Sequence, residues 1–88
     1  MDNLKEISKT LIDLKSKNDM YNFLQELFTE AELNDLSKRW RILKLLNEGV
    51  TQREIAKILN VSLCKVTRGA KIIKNKDAIV TKYLRKEK

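Results

Sequence analysis

The chain has no proline, no histidine, two glycines and one cysteine. Each shortage excludes something. Tight corners between strands rely on glycine and proline, whereas helices joined by short polar turns need neither. The composition therefore points to an all-α fold. A lone cysteine closes no internal disulfide, and without histidine it cannot complete a zinc site of the usual kind. The missing histidine, the lack of paired carboxylates and the lack of a glycine-rich phosphate loop leave no ordinary starting point for an enzyme. No apolar run approaches the roughly eighteen residues of a membrane span, and the polar start, Met1–Thr10, does not read as a secretory signal. A reducing cytoplasm is the expected setting.

What is present fits one small domain over residues 1–88, with 42% hydrophobic residues, enough for a core. The net charge is +7, unevenly placed. Residues 1–37 hold four Lys/Arg against eight Asp/Glu, and residues 38–88 hold fifteen against four. A basic half suits phosphate backbones, anionic lipid or acidic proteins, or is simply a solvated face.

Apolar residues recur at helical spacing along most of the chain. Leu4, Ile7, Leu11, Ile12 and Leu14 predict a helix over about 3–17, with Asn18-Asp19 as a polar break. Tyr21, Phe23, Leu24, Leu27 and Phe28 follow as a short apolar segment. Thr29 with Glu32 forms a capping box at the head of the longest expected helix, about 30–47, which Gly49 ends. Thr51 and Glu54 open a short helix, Asn60-Val61-Ser62 interrupts it, and Ser62 caps the next. Asn75-Lys76-Asp77 breaks that one, and a last helix is expected over about 77–86. The count is six helices.

Residues 51–74 carry the functional signal. Two short helices meeting steeply need a small residue at their crossing, and Ala56 supplies it. The turn needs a residue that tolerates positive φ, and Asn60 is the best choice after glycine. Ile55, Leu59, Val61 and Val66 would make a miniature core. This is the pattern of a DNA-binding helix-turn-helix. Gln52, Arg53 and Lys57 then lie off the apolar face of the first helix. Ser62, Leu63, Cys64 and Lys65 form the N-terminal turn of the second, the end that enters a major groove. The free amides of that turn, with Arg53, Lys65 and Lys71, suit phosphate or guanine contacts. Cys64 reads as a small contact residue rather than a redox sensor, since no resolving cysteine exists.

The run Leu27-Phe28-Thr29-Glu30-Ala31-Glu32, then Arg39-Trp40-Arg41-Ile42, Gln52-Arg53-Glu54 and Thr67-Arg68-Gly69, resembles the bacterial Trp repressor family over about residues 20–75. The resemblance implies an intertwined homodimer, with 1–28 and 76–88 as dimerisation helices, operator DNA as target and L-tryptophan as corepressor. It implies that Arg39 and Arg68 sandwich the indole, that Thr29 lies near the ligand amino group, and that Gly69 gives the ring clearance. It adds Gln52, Thr67 and Lys71 as phosphate contacts, Arg53 as a base reader, and Leu63, Cys64 and Lys65 at the groove floor. Where members often carry a serine three residues after that glycine, this chain has Ile72. Three alternatives stay open at this point. Arg39 also lies four residues after Asp35, at ion-pair spacing. The family includes relatives with no established tryptophan response. The basic face also suits an acidic protein partner.

Overall fold

A computed structural model describes residues 2–86. Among them are six helices and no strand: α1 (Asn3–Asp13), α2 (Lys17–Leu27), α3 (Glu30–Asn47), α4 (Gln52–Leu59), α5 (Leu63–Lys74) and α6 (Ile79–Lys86). The all-α expectation and the helix count hold. No described helix is long and apolar enough to cross a membrane. The chain divides into two compact units, Met1–Leu33 and Asn34–Lys88.

In the first unit, Asp2 caps α1 by accepting the Leu4 and Lys5 amides. The helix stops at Asp13, short of the expected residue 17, because Leu14 is extended at ψ 114°. The Asn18-Asp19 break is not where the chain breaks. Ser16 caps α2 instead, its hydroxyl accepting the Asp19 N–H at 3.3 Å, so both residues fall in the first helical turn. Neither α1 nor α2 has a buried residue. Ile7, Leu11, Phe23, Leu24 and Phe28 are half-buried, and Leu4, Ile12, Tyr21 and Leu27 are exposed.

The α3 capping box closes in both directions. The Thr29 hydroxyl accepts the Glu32 N–H at 3.2 Å, and the Glu32 carboxylate accepts the Thr29 N–H at 2.9 Å. The Thr29 backbone N–H, and secondly its hydroxyl, hold the Glu32 carboxyl below the usual carboxylate range. A lowered folded-state pKa gives stability that is present above the unfolded pKa and lost as pH falls through the folded one. In a carbon-detected NMR titration, Glu32 should therefore titrate below a glutamate in a model peptide. A midpoint equal to the peptide's would contradict the closed box.

In the second unit the core is Ile42, Leu45, Ile55 and Val66, with Leu46, Val50, Ala56, Leu59 and Val61 packed against it. Gly49 turns the chain after α3 at φ +92°. Ile58, at helical spacing from Ile55 and so a candidate for the same apolar face, is 58% exposed. The α4 helix has only eight residues, and the side that carries Ile55 and Leu59 is the covered one. The last helix begins at Ile79 rather than 77, because Asn75 folds into an Asx turn, its Oδ1 accepting the Asp77 N–H at 3.0 Å. Thr81 is fully buried, and its hydroxyl donates to the Ile72 carbonyl of α5 at 2.7 Å. Asn47 donates to the Leu84 carbonyl at 3.4 Å, and Trp40 lies tilted against Tyr83 with ring centroids 6.4 Å apart.

Candidate nucleic-acid interface and ligand cleft

The α4–turn–α5 unit forms as its residues dictate. Thr51 caps α4, accepting the Glu54 N–H at 3.3 Å. Glu54 makes no return bond to Thr51 comparable to that of Glu32. Asn60 takes the left-handed conformation at φ 52°, ψ 53°, the only non-glycine among the described residues at positive φ. That one residue ends α4, and the next N–H, of Val61, closes back on the Ala56 carbonyl at 3.1 Å. Ser62 then caps α5 by accepting the Lys65 N–H at 3.3 Å. Ile55 and Val66 are fully buried between the helices, as the pattern requires.

All nine residues expected to meet nucleic acid lie in this unit. Arg53, Lys57, Ser62, Leu63, Cys64, Lys65, Thr67 and Lys71 are exposed. Gln52 is half-buried. Gln52 and Thr67 are brought together: the Thr67 hydroxyl donates to Gln52 Oε1 at 2.9 Å, tying α4 to α5 across the surface. Leu63 and Cys64 stand in the first turn of α5 with little cover, and Cys64 is a free thiol.

A cleft of about 280 Å³ lies between α3 and α5, lined by Arg39, Ile42, Leu43, Lys65, Arg68, Gly69 and Ile72. It brings together three of the four residues expected to hold a ligand: Arg39, Arg68 and Gly69. The fourth, Thr29, belongs to the first unit and serves as the α3 cap. Arg39 does not pair with Asp35; among the described residues the single ion pair is Lys9–Asp13. Gly69 is buried, and a Cβ built there would stand 2.9 Å from Ile42 Cγ2 and 3.3 Å from Leu46 Cδ1. Its missing side chain is thus room for α3 as well as part of the cleft wall. The resemblance sets position 72 beside the ligand, and Ile72 does line the cleft; sequence reasoning missed Lys65 as a cleft residue. The signal was available, since 65, 68, 69 and 72 are spaced by threes and fours and share one helix face. No described group of His, Cys, Asp or Glu could hold a metal ion.

Two short helices joined through a left-handed asparagine, the second walled by α3 across a cationic cleft, define a helix-turn-helix protein with a ligand-sized cavity on its second helix. The family model described as Trp repressor protein matches residues 2–88. The chain belongs to the Trp repressor family. It is 37% identical over 84 residues to the Trp operon repressor homolog of Chlamydia trachomatis serovar L2, covering 90% of this chain and 89% of that protein. The Trp operon repressor homolog of Xylella fastidiosa strain M23 is 39% identical over 80 residues, covering 90% and 85%. That of Chlamydia caviae is 32% identical over 73 residues, covering 82% and 72%. No solved structure matches significantly. The chain is therefore a Trp-repressor-like regulator, and its family is a regulatory one rather than a family of enzymes.

Proposed function

We propose that this chain is a DNA-binding transcriptional repressor of tryptophan metabolism or transport genes, acting in the cytoplasm as an intertwined homodimer with L-tryptophan as corepressor. The observation that carries the reading is that one helix holds both halves of the device. The first turn of α5 is exposed at 63–65, and Arg68, three residues on, lines the cleft with Arg39. Guanidinium planes stack well on an indole face. Arg53 is the base reader; Gln52, Thr67 and Lys71 hold phosphates, with Lys57 and the capped amides behind Ser62 beside them. The family resemblance adds Thr29 as a fourth ligand residue; its hydroxyl caps α3 by accepting the Glu32 N–H. The homodimer is supported by the apolar surface left uncovered on the elements assigned to it, with Ile12 78% and Ile79 84% exposed. Two copies would set two helix-turn-helix units on successive major grooves. Tryptophan gates the switch only in so far as it binds the DNA-ready arrangement better than the other.

The test combines duplex binding at several salt concentrations with calorimetry. Affinity for a selected duplex should fall steeply as salt rises and should improve with L-tryptophan. Arg68→Ala should weaken ligand binding about tenfold or more and operator binding with it. Salt-insensitive or absent duplex binding would sink the DNA function. A second reading, DNA binding without a tryptophan response, is favoured by Ile72, which gives the cleft no hydroxyl. A gel shift indifferent to tryptophan would select it.

A further inference from the structure

Inside a helix, a serine or threonine hydroxyl commonly donates to the carbonyl four residues back. Two hydroxyls of α1 do so, Ser8 to Leu4 at 2.9 Å and Thr10 to Glu6 at 2.8 Å. Thr67, in the second turn of α5, does not. Its proton crosses to α4 and goes to Gln52 Oε1 at 2.9 Å. A hydroxyl has one proton, and a DNA phosphate only accepts. Thr67 therefore has nothing left to donate to a phosphate. Gln52 does. With its amide oxygen held by Thr67, its Nε2 points away from that residue with two protons, and no group among the described residues accepts from it. Gln52 is also the first residue of α4, where the helix dipole favours an anion. The groove it borders has Thr51 and Lys74 in its lining and no acid to compete for those protons.

We infer that Gln52 is the phosphate donor of this pair and that Thr67 is its positioning residue, acting on DNA through the Gln52 amide rather than by touching it. This rests on the proposed DNA reading. It also divides what the resemblance gives as two equal phosphate contacts into a donor and its holder.

Duplex binding at one fixed salt concentration tests it, on a duplex selected by the unchanged protein. Gln52→Met should weaken binding about tenfold, the scale of a hydrogen bond to a charged group, and Thr67→Val about three- to fivefold. The double variant should bind no more weakly than Gln52→Met, because no amide is left to hold. Thr67→Ser keeps the donor and should bind like the unchanged protein. Phosphates are then replaced one at a time by uncharged methylphosphonate. At one phosphate of each half-site, the replacement should weaken binding by the unchanged protein and cancel the further loss from Thr67→Val. That comparison needs only the exposed position 67, so it stands even if Gln52→Met does not fold. Losses that multiply in the double variant, a Thr67→Val loss that survives at every methylphosphonate, or no loss from Thr67→Val at all would overturn the assignment while leaving DNA binding standing. If the unchanged protein binds no duplex, the DNA reading and this inference fall together.

Discussion

Replacing Ile55 with alanine should lower the unfolding free energy by about 2–4 kcal/mol, the usual cost of deleting most of a well-enclosed aliphatic side chain. Ile55 is fully buried and touches the residues on which the second unit is centred, Ile42, Leu45 and Val66. The residues packed with it are all apolar, and among the described residues no buried side-chain polar atom lacks a partner. The lost contacts would stay lost. In a domain whose total stability is on the order of 5–10 kcal/mol, this is a large share, so the α4–α5 unit should loosen well below the wild-type midpoint. Ile58 on the same helix provides the control: it is largely exposed, and Ile58→Ala should cost less than about 1 kcal/mol. Urea unfolding of both variants decides the matter, run at several protein concentrations because any self-association shifts the midpoint. A cost at Ile55 no greater than at Ile58 would mean that the core is not centred there.

Gly69→Val should also destabilise the protein, by about 2–3 kcal/mol, and should do so without any ligand present. Glycine inside a helix costs about 1 kcal/mol relative to alanine, so its presence in α5 needs a reason. The reason is Ile42. A Cβ at 69 would lie 2.9 Å from the Ile42 γ2 methyl, a branch close to the backbone rather than the free end of a long chain, and Ile42 is only 2% exposed. The methyl has nowhere to retreat. Valine adds two further carbons and loses helix propensity, so nothing compensates. Gly69→Ala is the informative intermediate: the propensity gain opposes the clash, and the net change should lie within about 1–2 kcal/mol of zero. If glycine served only to admit a ligand ring, valine would abolish ligand binding yet leave the thermal midpoint of the empty protein unchanged. A drop in that midpoint identifies helix packing as the first demand on residue 69.

How much of this was legible in the sequence depends on how local the deciding physics is. The bounds of α3 were legible because Thr29 and Glu32 satisfy each other within one turn and Gly49 stands free to take positive φ. Asn60 was legible for the same reason: a single residue had to supply a left-handed conformation between two apolar patterns. The end of α1 was not. Ser16, Asn18 and Asp19 are all competent caps within four residues, and Leu14 continues the apolar rhythm after the helix has stopped. Local signals tied, and the contest was settled by the backbone turning extended at Leu14. At the candidate site, the family resemblance rather than periodicity paired Arg39 with Arg68, and the cleft does hold both. It could not say how closely α3 and α5 approach, which is what makes Gly69 a packing residue. It also left Lys65 assigned to the outer surface alone, because a side chain at a helix start can reach either way until the facing helix is in place.

The left-handed Asn60 has a consequence for how this segment can change over generations. Nearly every side chain is strained at φ 52°, and glycine alone is at ease there, so substitutions at 60 are narrowly limited. The fixed point is separated by only two residues from Leu63 and Cys64, which are uncovered and hold no part of the core or of the cleft lining. Drift can therefore rewrite those two positions without loss of packing, while the angle at which they are presented is inherited unchanged.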